Sequence, residues 1–212
     1  MDHPQLARLI EVMATLRQQC PWDAEQTHES LVQYLIEETA ETIEAVETGD
    51  RDHLREELGD LLLQVIFHAE IAAERDDGFT IDDIAAGIAD KLIARHPYVF
   101  ATDETPADLH FSWEQRKAAE KGRTSVLEGI PDQLSSLARA SKIVSRVRSR
   151  RVAVDLSSEP IDKDDLGAQV LALVARGQAS GIDPDQAVRA AVRGLEARVR
   201  VSEAGQNAHL AG

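Results

Sequence analysis

Apolar residues recur at three- and four-residue spacing along nearly the whole chain, which commits it to helices packed on helices. Leu6, Leu9, Ile10, Met13 and Leu16 form the stripe of a first helix. It stops near Cys20-Pro21, because proline disfavours helical geometry in the residue before it. Trp22 to Gln26 reads as a turn, and Thr27 as the N-cap of a second helix that runs to about Glu47 and closes at Gly49. The spacing predicts a third helix over 52–75, apolar nearly all round from Leu61 to Phe67 as a buried helix would be. After the Asp76-Asp77-Gly78 turn, Thr80 and Asp83 make a capping-box start for a fourth helix, striped by Ile81, Ile84, Ile88 and Leu92 and ended by Pro97. Ala101 to His110 is acidic and aperiodic and reads as a mobile loop before a short helix at Trp113 to Lys121. Helical spacing returns from Pro131.

Within that pattern the second and third helices carry acids on their apolar stripes: Glu38 with Glu41, and Glu57 with Asp60, each pair at i and i+3. In a chain with 38 acidic residues the spacing alone is common, and a solvated acidic face would explain it. Their place on inward-facing positions, beside an apolar helix, points instead to a ligand cluster. Gly59 between two of them suggests that another backbone passes close by. If the helices pack antiparallel, four carboxylates converge, and like charges so close call for a cation. Magnesium is the natural one, with manganese as a substitute.

The formal net charge of -15 argues against binding nucleic acid through bulk charge. Cys20 is the single cysteine, so no intrachain disulfide forms, and it reads as a small buried hydrophobe. The first thirteen residues lack a signal peptide's basic start and apolar stretch, and no apolar run approaches a membrane span. The expectation is a cytoplasmic protein without a membrane partner.

The second half reads as a worn copy of the first. Leu137-Ala138-Arg139 repeats Leu6-Ala7-Arg8 at an offset of 131, whereas Asp164-Asp165-Leu166-Gly167 repeats Glu56-Glu57-Leu58-Gly59 at an offset of 108. The 23-residue difference is about one helix, the one that would carry the first acid pair. Ala168 stands where Asp60 would be and Gly194 where Lys91 would be, although Arg198 still matches Arg95. This copy is not expected to bind metal by itself.

Glu37-Glu38-Thr39-Ala40-Glu41, followed after fifteen residues by Glu57-Leu58-Gly59-Asp60, resembles the EExxE and ExxD signature of MazG-type nucleoside triphosphate pyrophosphohydrolases, in the all-α NTP pyrophosphatase group. Cys20-Pro21-Trp22-Asp23 with Gln26-Thr27, Lys91-xxx-Arg95 with His96-Pro97, and Trp113-xxx-Lys117 resemble further MazG elements in the same order. The resemblance implies a four-helix catalytic unit over 1–130 and a degenerate repeat over 131–212. It also implies hydrolysis of a nucleoside triphosphate to the monophosphate and pyrophosphate.

Carried over by motif, Glu38, Glu41, Glu57 and Asp60 are the metal ligands, and Glu41 is expected to be indispensable for catalysis. Glu37, outside that set, is the candidate for orienting or deprotonating the water, and a plain surface glutamate is the alternative. Lys91 and Arg95 resemble the family's phosphate contacts, against a plainer reading as a helix edge with long cationic side chains. Trp113 and Lys117 resemble its late nucleotide contacts, with Trp113 able to stack on a base or simply to fill a core. A buried Trp22 capping the first helix would explain that residue without substrate contact. No histidine pair shows trusted metal-ligand spacing, and the basic run from Arg139 to Arg151 reads as a solvated face.

So small a unit does not easily enclose a nucleotide, which makes a homodimer the expectation. Modified or damaged nucleotides are within the family's range. The alternatives are a related pyrophosphohydrolase of dUTP or phosphoribosyl-ATP, and a catalytically silent helical adapter.

Overall fold

In the computed structural model, which describes residues 3–101 and 104–210, every regular element is a helix. Prolines open the first two, Pro4 in α1 (Pro4–Gln19) and Pro21 in α2 (Pro21–Glu25), where the missing N–H has no intrahelical partner to lose. The single turn of α2 occupies the segment read as a plain turn. Helix α3 (Val32–Thr48) starts later than the Thr27 N-cap implies. Thr27 instead closes the preceding turn: its Oγ1 accepts from the Ser30 N–H at 3.1 Å, and Ser30 Oγ accepts from the Thr27 N–H at 2.9 Å.

Gly49 ends α3 at φ 74°, a left-handed position that a side chain would strain. Asp50 then caps α4 (Arg51–Ala73), its carboxylate accepting from the N–H groups of Asp52 and His53 at 3.0 and 3.1 Å. Two residues of linker leave α3 and α4 no course but to fold back along each other. The predicted box opens α5 (Ile81–Arg95): Asp83 accepts from the Thr80 N–H at 2.8 Å, and Thr80 Oγ1 accepts from the Asp83 N–H at 3.3 Å.

The chain divides into two compact units between Ala94 and Arg95. Met13, Leu31, Ile66 and Phe67 form the core of the first, with Leu9, Ile10, Tyr34, Leu63 and Ile81 around them. Arg17 fastens this unit. Its guanidinium is paired with Glu74, bonds the carbonyls of Asp23 and Gln26, and lies 5.8 Å from the Phe67 ring centre.

Helix α4 is buried along one side only. Leu62 and Val65 are 39 and 41 % exposed, so the full burial expected from its apolar Leu61–Phe67 segment does not hold within this unit. Ile36, Ile43 and Val46 of α3 and Ile88 and Leu92 of α5 are exposed as well. Gly59 is a second correction: a Cβ added there meets nothing within 4 Å, because the residue lies on the open side of α4 and no backbone approaches it.

The second unit contains α6 (Pro97–Phe100), α7 (Leu109–Glu120), α8 (Ser136–Ser149), α9 (Lys163–Ala179) and α10 (Pro184–Leu210). Helix α7 begins before Trp113 because the Asp108 side chain caps it, accepting from the Phe111 N–H at 2.9 Å. Of the segment read as a mobile loop, Thr102 and Asp103 lie outside the described residues, and Leu109 already belongs to α7. Val126 and Ile130 pack with Ile143, Val147, Val192, Leu195 and Val199 in a single core. Val126 and Ile130 thus belong to the core of the unit that begins at Arg95.

Candidate active site

The α3 and α4 hairpin brings two runs of acids together. One carboxylate oxygen each from Glu38, Glu41 and Glu57 lie within 4.8 Å of one another. Their surroundings are unequal: Glu57 is buried, Glu38 half-buried and Glu41 exposed. The site therefore opens to solvent on the α3 side and has its floor on α4. Glu37 and the fourth predicted ligand, Asp60, lie outside that group of three but close enough for their charges to act on both Glu38 and Glu41.

The electrostatics are those of an uncompensated anion cluster. Desolvation, then Asp60, Glu41, Glu57 and Glu37 in turn, push the Glu38 carboxyl above its ordinary value. Desolvation also leads for Glu41, followed by Glu57 and Glu37, with Asp60 adding and His53 opposing.

Glu57 shows what the cluster lacks. Its Oε1 is 3.0 Å from His53 Nε2, one turn earlier on α4, while its Oε2 is buried without any hydrogen-bond partner. A buried carboxylate oxygen left bare is costly unless something positive meets it. The donors are all oxygens, which suits a hard cation of the magnesium type. Two oxygens bound to one such ion at about 2.1 Å stand no more than about 4.2 Å apart, so the observed spacing needs only a small rotamer closure. Among the described residues this is the one group of three or more such side chains gathered closely enough to hold a metal.

The predicted cations fall differently. Lys91 and Arg95 lie on α5 one turn apart, Lys91 half-buried and Arg95 buried. Arg95 is engaged by Glu120, with Nε and Nη2 at 2.8 and 2.7 Å from Oε2, and its guanidinium sits 5.1 Å from the Trp113 ring centre. His96 approaches the same indole at 4.8 Å between centroids. Lys117 is half-buried, 3.8 Å from Glu114, and its ammonium is pushed below its ordinary value by desolvation, with Lys142, Arg146 and Arg123 adding to the effect and Glu114 opposing it. Within the second unit Arg95 is thus held by Trp113 and Glu120, and Lys117 by Glu114.

Trp22 is a correction. It is 49 % exposed, resting edge-on against Tyr34 and Phe67 with ring centroids 5.9 and 6.5 Å away, because α2 lies across the end of the core rather than inside it. His53 was visible in the sequence only through its i, i+4 spacing to Glu57. The carboxamide oxygen of Gln64 and the hydroxyl of Thr42, both buried without a partner, carried no sequence signal at all.

Residues 26–100 match the family model of the MazG nucleotide pyrophosphohydrolase domain. The chain is 45 % identical to an uncharacterized 26.1 kDa protein of Streptomyces cacaoi, covering 94 % of this chain and 83 % of that one. It is 38 % identical to the nucleoside triphosphate pyrophosphohydrolase of Mycobacterium tuberculosis, covering 94 % of this chain but only 58 % of that longer relative. Against the nucleoside triphosphate pyrophosphohydrolase/pyrophosphatase MazG of Thermotoga maritima the identity is 35 %, over 92 % of this chain and 84 % of the relative. The acid hairpin lies inside the matched segment, and the chain belongs to the MazG family of nucleotide pyrophosphohydrolases.

Proposed function

We propose that this protein hydrolyses nucleoside triphosphates, ribo and deoxy, to the monophosphate and pyrophosphate in a magnesium-dependent reaction. The observation that carries the proposal is the convergence of Glu57, whose Oε2 is buried and bare, with Glu38 and Glu41 on one hairpin of a MazG-family chain. Glu38, Glu41, Glu57 and Asp60 would hold the metal. The ion supplies charge neutralisation for the triphosphate and polarises its phosphorus toward attack.

The chain's own groups do the rest. Glu37 is exposed beside the cluster and not needed as a ligand, so it is placed to orient the attacking water and accept its proton. Attack at the α-phosphorus breaks the bond to the bridging oxygen, and pyrophosphate leaves. Lys91 and Arg95 are assigned to the phosphates. For Arg95 this requires exchanging Glu120 for a phosphate oxygen, an exchange of one anionic partner for a more highly charged one. Trp113 and Lys117 are assigned to the nucleoside end, with breadth toward modified bases because one indole face reads no base edge.

The exposed apolar residues of α3, α4 and α5 support a homodimer as the working form, since so much aliphatic surface stays wet in one copy. Residues 131–212 are proposed as the non-catalytic repeat: α8, α9 and α10 follow the order of α1, α4 and α5, with no counterpart of α3. No helix among the described residues is long and apolar enough to cross a membrane. A cytoplasmic place of action belongs to the proposal.

The test is product analysis on a panel of canonical and oxidised (d)NTPs, with and without magnesium, beside Glu41→Gln. Monophosphate and pyrophosphate that need magnesium and disappear in the variant support the proposal. Diphosphate with orthophosphate, or turnover indifferent to Glu41, refutes it.

A further inference from the structure

Three arginines surround a cleft of about 600 Å³ in the second unit, lined also by Phe111, Gln115 and Ala118. They are Arg123, after α7, and Arg150 and Arg151, at the end of α8. Among the described residues of this unit, five of thirteen arginines pair with a carboxylate: Arg95 with Glu120, Arg139 with Asp132 and Glu196, Arg146 with Glu114, Arg189 with Asp185, and Arg200 with Glu196. Arg123, Arg150 and Arg151 form no ion pair among the described residues. The nearest acid, Glu128, feels Arg150 electrostatically but spends its oxygens on Thr124 and Ser125.

The backbone at Arg151 is the second observation. Helix α8 ends in a Schellman closure: the Val152 N–H bonds the Val147 carbonyl at 3.0 Å, and the Arg151 N–H bonds the Arg148 carbonyl at 3.2 Å. That closure demands a left-handed residue, ordinarily glycine, at the place Arg151 occupies with φ 53°. Among the described residues it is the one non-glycine with positive φ. A strained position that keeps a long cation points to a use for the cation. The strain delivers the guanidinium to the Phe111 ring, 5.5 Å from its centre. Gly129 serves Arg123 in a similar way: a Cβ there would stand 2.6 Å from Nη2 of Arg123, so the bare backbone makes room for that guanidinium.

The cleft is not the nucleotide face assigned above. At 100° per residue, Phe111, Gln115 and Ala118 share one flank of α7, while Trp113, Lys117 and Glu120 share the opposite flank.

We infer that Arg123, Arg150 and Arg151 form an anion site for a pyrophosphoryl group, either free pyrophosphate or the terminal phosphates of a nucleotide, built from residues of the second unit alone. Guanidinium forks match phosphate oxygens two at a time, and three of them around one opening suit a ligand with several adjacent charges.

The experiment is calorimetric titration of the full chain with pyrophosphate in metal-free, low-salt buffer, repeated with AMP and with a non-hydrolysable ATP analogue. Arg151→Gly removes the guanidinium and also relieves the backbone, so it is expected to melt higher than the parent while binding pyrophosphate about tenfold more weakly. Arg150→Gln weakens binding similarly, and Lys117→Gln, on the opposite flank of α7, weakens it far less. Equal affinity for pyrophosphate and the analogue assigns the site to the phosphates alone, and tighter binding of the analogue assigns it to a nucleotide; both support it. Pyrophosphate affinity unaltered in Arg151→Gly and Arg150→Gln, or lost in Lys117→Gln instead, overturns it. So does an oligonucleotide that binds through these arginines where pyrophosphate does not bind. None of these readouts uses turnover, so the inference stands or falls apart from the hydrolysis proposed above.

Discussion

His53 Nε2 lies 3.0 Å from Glu57 Oε1, and that contact fixes which oxygen of Glu57 is left for the acid cluster. The histidine occupies one oxygen and leaves the other, buried and unpartnered, free to take up a cation. Groups that orient a metal-binding carboxylate in this way are worth about 10- to 100-fold in metal affinity when removed. His53→Ala is therefore expected to raise the magnesium concentration for half-maximal activity by about that factor, with the saturated rate changing far less. A magnesium titration of turnover checks it, and an unshifted midpoint would show that His53 does not position Glu57.

The acid cluster works against the metal-free fold. Glu38 and Glu41 have carboxyls pushed up in the folded protein, so folded molecules bind more protons than unfolded ones across the carboxylate range. Their contribution is therefore fully present below the ordinary carboxylate value near 4.5 and is lost as pH rises through the raised folded values. Glu38→Gln in EDTA is expected to melt higher than the parent at pH 7, and the advantage should shrink as pH approaches 4.5. Adding magnesium at pH 7 should stabilise the parent and leave the variant nearly unmoved. Melting curves across pH with and without metal would reveal a reversed order.

Gly59 sits in a helix interior with open space where a side chain would go. Gly59→Ala is expected to stabilise the monomer by about 0.5 to 1 kcal/mol, as the intrinsic helix preference dictates. Denaturant unfolding at low protein concentration measures this. If the variant is instead less stable only where the protein self-associates, the open side of α4 is where two copies meet.

Arg17 gathers the end of α1, the α2 turn and the end of α4 through one guanidinium. Arg17→Ala strips the carbonyls of Asp23 and Gln26 of their donor and should cost about 2 kcal/mol. Arg17→Lys should restore little of it, since an ammonium lacks the fork that meets Glu74 and two carbonyls together. Equilibrium unfolding of the three proteins tests the order.

His68 rests half-buried against His28, with their Nδ1 atoms 2.8 Å apart and rings stacked at 5.1 Å. Burial first, and His28 second, hold its imidazole below the ordinary value of 6.5. A depressed folded value contributes stability above 6.5 that is lost as pH falls through it. His68→Gln should therefore flatten the decline in melting temperature between pH 7 and 5, and an unchanged slope would remove His68 as its source.

The sequence spoke clearly where local chemistry decides. The Thr80 and Asp83 box and the Gly49 stop depend on neighbours within one turn, and they stand where the pattern puts them. The convergence of Glu38, Glu41 and Glu57 was legible too, because a two-residue linker leaves an acidic helix pair only one way to fold back. What failed depends on distant packing. A buried Trp22 capping the first helix is one such reading, yet the residue is half in water. Gly59 was given a neighbour that is absent, and the apolar belt of α4 was assumed to be covered on all sides. The part played by Val126 and Ile130 in the second core could not be read either, since nothing in their local spacing says which helices they join.

The turn at Gly49 and Asp50 has a further consequence, for the lengths this chain can tolerate. Each residue inserted inside α3 after Glu41, or inside α4 before Glu57, would turn the helix on one side of it by about 100° and slide it by about 1.5 Å relative to the other side. One extra residue would carry Glu57 out of reach of Glu38 and Glu41 with every acid still in place. The reactive centre is thus encoded as much by a count of residues as by their identities. Insertions inside the two helical runs between Glu41 and Glu57 should therefore be poorly tolerated, even where single substitutions there are harmless.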